Sequence, residues 1–174
     1  MWDSSKTIRV IIVDDHPLVI EGFKNIILGN DKLELRGQFR TAEALSDFKE
    51  MNEIDIVLLD ITLPDGNGIN ICKELKQSYP HIIVIAISNL SERSIIKQML
   101  QNGASGYLLK TADPTDILNC ILETLEGKIA LSSELSTNFN LGELKEPEEI
   151  PDLTNRERQI LQLLAEGKKS AQIA

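Results

Sequence analysis

Residues 55–68 run D-I-V-L-L-D-I-T-L-P-D-G-N-G, an aliphatic stretch that ends at Asp60 and continues into a loop rich in proline and glycine. Unbroken aliphatic runs of this length are typical of strands that are buried on both faces of a parallel sheet. A carboxylate at the end of such a strand is either solvated by water or takes part in chemistry. The ends of the other predicted strands decide between these two interpretations.

Five short apolar runs along the chain predict strands, and helix-length amphipathic segments separate them. The predicted strands are Ile8–Val13, Leu33–Phe39, Ile56–Leu59, Ile82–Ile87 and Gly106–Leu109. Strand–helix alternation repeated five times predicts a doubly wound α/β domain with a five-stranded parallel sheet and right-handed crossovers. Ligands of such sheets bind at the carboxyl ends of the strands.

Two of the predicted helices have clear end signals. Residues 91–102 (SERSIIKQMLQN) carry one apolar face, with Ser91 as the expected N-cap and Gly103 just beyond the last turn. Asp113 and Pro114 open the last helix of the repeat with a capping acid and a proline at the first helical position, and Gly127 ends it.

Composition excludes several classes of protein. The chain has 174 residues, enough for one well-cored domain and a small appendage. A net charge of −9 argues against nonspecific nucleic-acid binding by the whole molecule. No apolar run approaches the roughly 20 residues that span a bilayer, and the first ten residues lack a signal-peptide pattern, so we expect a cytoplasmic protein with no membrane contact. Cys72 and Cys120 lie too far apart to suggest a zinc or redox pair.

Polar residues follow four of the five predicted strands: Asp14 and Asp15, Asp60, Ser88 and Asn89, and Lys110. Each of them taken singly is most simply a solvated or surface residue. Together they would converge at one edge of the sheet, where three crowded acids repel one another unless a cation is present. Mg²⁺ takes oxygen ligands from carboxylates, and a lysine can reach a phosphate as a point charge. The set therefore predicts a magnesium and phosphate site.

These stretches resemble the receiver domain of bacterial two-component response regulators, and in detail the NarL/FixJ (LuxR-type) branch. The resemblance covers residues 7–128 and lies in V13-D-D-H-P17, L59-D-I-T-L-P-D-G-N-G68, I87-S-N89 and G103-A-S-G-Y-L-L-K110. It implies a flavodoxin-like sheet with strand order 2-1-3-4-5. It also implies a phosphoacceptor signalling protein that catalyses only its own phosphoryl transfer and dephosphorylation.

The resemblance assigns a role to each residue at the strand ends. Asp60 would accept a phosphoryl group from a sensor histidine kinase, with Ser88, Asn89 and Lys110 binding the phosphate. Mg²⁺ would be held by Asp15, by Asp60, by Asp14 through water and by the backbone carbonyl of Thr62. Ser88 would then move toward the phosphate and Tyr107 would turn inward behind it, changing a surface through which the chain could pair as a homodimer. His16 is expected to have a structural role.

The carboxyl-terminal part differs in composition. Residues 129–152 are expected to form an acidic linker; from residue 132 to 152 they carry one lysine against six acidic residues. Residues 153–174 begin L-T-N-R-E-R-Q-I-L-Q-L-L-A-E-G and resemble the start of a LuxR-type DNA-binding domain, with Thr154 and Glu157 as a capping box. The sequence ends before that family's recognition helix, so DNA binding is expected in a full-length form and not for residues 1–174.

Three other functions share parts of this pattern. A receiver-type adaptor would bind partners without phosphorylation, although such proteins usually lose an acid or the lysine. A phosphatase of the haloacid dehalogenase type would place its nucleophile after the first strand in a D-x-D motif, whereas the first strand here ends in adjacent acids. A flavodoxin-like cofactor binder would need a phosphate-binding first loop, which Asp14 and Asp15 would oppose by repulsion.

Overall fold

The computed structural model of the chain describes residues 5–145 and contains a parallel sheet with helices on both faces. The strands of this sheet are β1 (Ile8–Val13), β2 (Leu33–Phe39), β3 (Ile56–Asp60), β4 (Ile83–Ser88), β5 (Gly106–Leu109) and β6 (Ala130–Leu131). Their order is β2-β1-β3-β4-β5-β6, and every pairing is parallel. A small antiparallel hairpin, Thr62–Leu63 with Gly66–Asn67, follows β3.

The helices follow the strands in turn. They are α1 (Pro17–Leu28), α2 (Ala42–Ser46), α3 (Gly68–Ser78), α4 (Arg93–Gln101), α5 (Pro114–Leu125), α6 (Ser133–Asn138) and α7 (Leu141–Lys145), with one 3₁₀ turn at Met51–Glu53. None of the helices in the described part of the chain is long and apolar enough to cross a membrane.

Alternation along the central strands creates two separate cores. In β3, Ile56 and Leu58 pack on one face of the sheet with side chains of α1 and α5. Val57 and Leu59 pack on the other face with side chains of α2, α3 and α4. Because β3 is buried along its whole length, its last residue, Asp60, is rigidly placed at the sheet edge.

The doubly wound fold predicted from the sequence and the strand order implied by the resemblance are confirmed, and the number of strands is corrected. Ala130–Leu131 adds a sixth parallel strand beside β5. Two residues are too short a run to produce a periodic signal, so the pairing arises from tertiary contact. Within the described chain, residues 130–145 therefore contain a strand and two short helices where the sequence predicted the start of a linker.

The predicted helix ends are confirmed in one case and wrong in another. Asp113 caps α5 by accepting a hydrogen bond from the backbone N–H of Asp116. Helix α4 begins at Arg93, with Glu92 and not Ser91 at the N-cap position. Gly103 follows α4 with φ of +98°, a left-handed conformation that favours glycine. The predicted DNA-binding segment, residues 153–174, lies outside the described residues.

Candidate functional site

Strand register brings the four predicted strand ends together. Val13 pairs with Leu59, so the next residues, Asp14 and Asp60, are neighbours. Asp60 pairs with Ile87 on its other side, which places Ser88 beside it. Lys110 follows at the end of β5, and its backbone N–H donates to the Ser88 carbonyl at 2.9 Å. The sheet thus collects the predicted site residues on one edge.

Lys110 joins two of the carboxylates. Its Nζ lies 2.8 Å from Asp14 Oδ2 and donates to Asp60 Oδ2, also at 2.8 Å. The three side chains are at most 6% exposed. Burial raises the pKa of Asp60, although Lys110 and the Thr62 backbone N–H oppose that effect. Burial would lower the pKa of Lys110, but its contacts with the two carboxylates outweigh burial and raise it.

His16 reaches the same cluster from the start of α1. Its Nδ1 lies 3.0 Å from Asp14 Oδ1 and 2.9 Å from Asp15 Oδ1, while its backbone N–H donates to Asp14 Oδ1 at 2.8 Å. Nδ1 is also 3.2 Å from Lys110 Nζ. Since a ring nitrogen carries at most one proton, it can donate to both acids only through one shared hydrogen bond. The structure thus places His16 within the pocket, where sequence reasoning predicted a structural role.

The donor set fits a hard divalent cation. Ligand atoms of Asp14, Asp15, His16 and Asp60 all lie within 4.8 Å of one another. Asp14 Oδ2 and Asp15 Oδ1 are buried and accept no hydrogen bond from the described residues, and the approach of Lys110 to Asp14 is an ion pair without hydrogen-bond geometry. Buried carboxylate oxygens without a donor are unfavourable unless a cation binds them. Oxygen ligands in this arrangement suit Mg²⁺.

The two predicted switch residues, Ser88 and Tyr107, are linked through hydrogen bonds to the backbone of Leu90. Ser88 is buried, and its Oγ accepts a hydrogen bond from the Leu90 backbone N–H at 3.0 Å. The Tyr107 hydroxyl donates to the Leu90 carbonyl oxygen at 2.8 Å. Burial raises the pKa of Tyr107 to about 12. The Tyr107 side chain is fully buried and is therefore already inward. Asn89 follows Ser88 in the chain and is exposed.

Gly68 positions Asp60, and sequence reasoning did not identify it. A Cβ on Gly68 would lie 2.4 Å from the Asp60 carbonyl oxygen and 2.6 Å from Ile61 Cα. Those atoms are backbone and cannot give way. The Gly68 backbone N–H also donates to the Ile61 carbonyl at 2.8 Å. The only signal in the sequence was the second glycine of D-G-N-G, whose close neighbour becomes evident only in the fold.

Asp65 was also missed, and it anchors the loop that follows Asp60. Its carboxylate accepts hydrogen bonds from the backbone N–H groups of Glu43 and Ala42, at 3.0 and 2.8 Å, which lower the pKa of Asp65. Asp65 thereby caps α2, a helix that precedes it by some twenty residues. No local pattern predicts a cap over that separation. Arg40 similarly donates to the Asp15 carbonyl at 3.1 Å from the β2–α2 loop.

Comparison with known families gives a match in each part of the chain, and the first agrees with the geometry of the described residues. A family model described as a response regulator receiver domain matches residues 10–122. A second model, described as bacterial regulatory proteins of the luxR family, matches residues 151–174.

Individual relatives resemble the chain over nearly its whole length. The transcriptional regulatory protein LnrK of Bacillus subtilis is 31% identical, over 96% of this chain and 81% of the relative. The nitrate/nitrite response regulator NarL of Escherichia coli is 29% identical, over 95% and 78%. A solved structure of two RcsB dimers bound to two parallel DNAs superposes with a TM-score of 0.73 at 26% identity, covering 97% of this chain and 82% of that one.

Proposed function

Because the chain belongs to the two-component response regulators, with a receiver domain and a LuxR-type segment for transcriptional control, we propose that Asp60 is its phosphoacceptor. The observation that carries this proposal is the placement of Asp60 at the buried end of the central strand, where both of its oxygens are held. Oδ1 accepts from the Thr62 N–H at 3.0 Å and Oδ2 from Lys110 at 2.8 Å. A nucleophile fixed in this way needs little reorganisation before it attacks.

The phosphoryl donor in this proposal is a phosphohistidine of a sensor kinase. One carboxylate oxygen of Asp60 forms a bond to phosphorus, and the bond from phosphorus to the histidine nitrogen breaks, leaving its electron pair on that nitrogen. Before the reaction, Asp60 Oδ2 accepts a hydrogen bond from Lys110 Nζ. We infer that Lys110 then donates this hydrogen bond to a phosphoryl oxygen. Its ammonium group there neutralises the negative charge that has moved from the carboxylate to the phosphoryl group.

Asp15 and Asp60 would hold Mg²⁺ directly, Asp14 through water, and the Thr62 carbonyl would complete the protein ligands. Bound there, Mg²⁺ would neutralise negative charge on the phosphoryl oxygens. Asp14 Oδ2 and Asp15 Oδ1, which accept no hydrogen bond from the described residues, support this assignment. Within the cluster His16 Nδ1 lies among the same oxygens, so we infer that the ring turns aside when the cation binds.

Ser88 and Asn89 complete the phosphate-binding set in this proposal. The Ser88 oxygen accepts from the Leu90 N–H, so its own proton is available for a phosphoryl oxygen. Tyr107 is already inward with its hydroxyl on the Leu90 carbonyl. Phosphorylation would then stabilise the inward orientation of Tyr107 that is already present. It would shift the population toward this conformation and would require no new rotation of the tyrosine side chain.

We further propose that the phosphorylated chain pairs with a second copy and that a longer form binds DNA. The RcsB structure, with its dimers on DNA, supports pairing as a property of relatives. The protein would act in the cytoplasm, where it would reach both the kinase domain of its partner and its promoters. Apart from its own phosphoryl transfer and dephosphorylation, no enzymatic turnover is expected.

The test is intact-protein mass spectrometry after incubation with Mg²⁺ and acetyl phosphate. The parent should gain one phosphoryl group, and Asp60→Asn should gain none. Asp55→Asn is the matched control, because Asp55 pairs with Arg9 and Lys6 at the opposite end of β3. This control should be phosphorylated like the parent. No adduct on the parent, either with acetyl phosphate or with a phosphorylated histidine kinase, would contradict the proposal and favour the phosphorylation-independent adaptor.

A further inference from the structure

The segment that follows the receiver helices, residues 130–143, packs on the switch strand; we call it the linker arm. Its first residues extend the sheet beyond β5. The Ala130 N–H donates to the Ser105 carbonyl and the Ser132 N–H to the Tyr107 carbonyl, both at 3.0 Å. The strand that carries the switch tyrosine is thus paired on both of its edges.

A carboxylate on α5 fixes the arm a second time. Asp116 Oδ2 accepts from the Ser133 N–H at 2.8 Å, and Asp116 Oδ1 accepts from the Ser133 hydroxyl at 2.7 Å. Ser132, at the N-cap position of α6, makes no capping hydrogen bond through its side chain in the described part of the chain. Asp116 therefore provides the cap from another helix, which makes α6 depend on its contact with α5.

Apolar contacts and one ion pair complete the docking. Leu131 and Leu135 of the arm are buried in the same cluster as Tyr107. Glu143 at the distal end of the arm lies 3.2 Å from Arg93 of α4, with both side chains about half exposed. Exposed pairs of this kind contribute little, so the buried leucines and Asp116 account for most of the docking free energy.

A continuous series of hydrogen bonds leads from the carboxylate pocket to the arm. Ser88 Oγ accepts from the Leu90 N–H at 3.0 Å, and the Leu90 carbonyl accepts from the Tyr107 hydroxyl at 2.8 Å. The Tyr107 carbonyl accepts from the Ser132 N–H at 3.0 Å. If Tyr107 turned outward, it would break the second of these bonds and open a cavity beside the buried leucines of the arm. Such a cavity is unfavourable in a close-packed core.

We propose that the linker arm is part of the phosphorylation switch: docked on β5 and α5, it holds Tyr107 inward, so that arm docking and phosphoryl binding at Asp60 strengthen each other. This inference rests on the proposed function of Asp60. Its physical basis is reciprocity, since two events that both require inward Tyr107 must favour each other by the same factor. The arm precedes the LuxR-type segment, so its docking would carry the state of the receiver to that segment.

The experiment uses the whole chain with Mg²⁺ and beryllofluoride, a phosphoryl mimic. Hydrogen–deuterium exchange reports docking through peptides within residues 130–143, and fluorine NMR titration reports beryllofluoride affinity. Ser133→Ala removes one bond of the Asp116 anchor, and Asp116→Asn weakens both. Glu123→Gln is the matched control: Glu123 lies two turns further along α5 and lines the same cleft against the arm as Asp116, but unlike Asp116 its side chain makes no hydrogen bond or ion pair to the arm within residues 5–143.

Beryllofluoride should slow exchange in the arm of the parent. Ser133→Ala and Asp116→Asn should exchange faster there and bind beryllofluoride about fivefold more weakly, whereas Glu123→Gln should match the parent. Unchanged arm exchange on beryllofluoride binding, or unchanged affinity in both variants despite a loosened arm, would overturn the proposal while leaving the phosphoacceptor role intact. If the parent bound no beryllofluoride at all, the phosphoacceptor role would fail, and this proposal with it.

Discussion

Charged side chains gather at both ends of the parallel strands, and the two groups differ in charge balance. The amino-end group contains three cations and four acids: Lys6, Arg9, Arg36, Glu34, Glu50, Glu53 and Asp55. Each acid there has a cation within 3.3 Å, as in the 2.8 Å pair of Arg36 with Glu50. At the carboxyl end, three acids lie together and Lys110 pairs with two of them, Asp14 and Asp60.

Exposure differs as much as charge. Glu50 and Glu53 are more than half exposed, whereas Asp14 and Asp60 are almost completely buried. Water screens the amino-end pairs, so they contribute little to stability. The carboxyl-end acids are desolvated and in excess, which opposes folding and leaves oxygens available to a cation. Residues of the same types therefore form solvent-screened pairs at one end of the sheet and the proposed phosphoacceptor site at the other.

Replacing Lys110, the cation that pairs with two acids at the carboxyl end of the strands, should have the largest effect on stability. Lys110→Met leaves Asp14 and Asp60 buried without a lysine, and the free energy of unfolding should fall by about 3 kcal/mol at pH 8. Lys110 lowers the pKa of Asp60, so that pKa will rise in the variant. The loss should therefore shrink at lower pH, where Asp60 takes up a proton. Urea unfolding at pH 8 and pH 5 measures both effects; an equal loss at the two values would contradict this assignment.

The backbone next to Asp60 should not tolerate the methyl group that alanine adds at position 68. Gly68→Ala places a Cβ against the Asp60 carbonyl and Ile61 Cα, and the expected loss of stability is about 3 kcal/mol. Gly22→Ala is the matched control, since its Cβ meets nothing within 4 Å among the described residues and lies in α1. Alanine there should stabilise by about 0.5–1 kcal/mol. Thermal unfolding of both variants would test this; similar shifts would mean that Gly68 is not packed against Asp60.

Removing the excess charge should stabilise the fold while abolishing function. A raised pKa means that the folded state holds the Asp60 proton more tightly than the unfolded state. Asp60 therefore stabilises when protonated, and this contribution is lost as the pH rises through the folded pKa. Asp60→Asn stays neutral, so it should be more stable than the parent at pH 7, and this gain should shrink as the pH falls toward 3.8. Denaturant titrations between pH 7 and pH 3.8 measure this gain in the free energy of unfolding. A gain that did not shrink over this range would contradict its assignment to the charge of Asp60.

The amino-end group should respond least. Arg36→Gln removes the exposed pairs with Glu50 and Glu34, which raise the pKa of Arg36. No measurable change in unfolding or in phosphorylation is expected, because solvent screens these pairs. The check is a denaturant midpoint at low and high salt alongside the parent. A salt-dependent loss comparable to that of Lys110→Met would erase the distinction between the two ends of the sheet.

Much of the site could be predicted because each strand carries its own signal. Asp14, Asp60, Ser88 and Lys110 each follow an apolar run, and parallel strands bring their carboxyl ends to one edge. Residues whose role depends on a distant neighbour could not be found in this way. Asp65 caps a helix that precedes it by some twenty residues, and Asp116 caps a helix seventeen positions later.

The sequence by itself determined the doubly wound fold and the residues at the strand ends, because hydrophobic periodicity and polar termination are local properties of the chain. The strand order was implied by the resemblance of its motifs to receiver domains. The tertiary structure alone decided that Ala130–Leu131 joins the sheet and that His16 enters the acidic pocket. It also decided that Tyr107 lies inward, with its hydroxyl on Leu90. Each of these includes a contact between segments far apart in the chain, which for His16 is the approach of Nδ1 to Lys110 Nζ. Such contacts are selected by packing and desolvation across the whole fold.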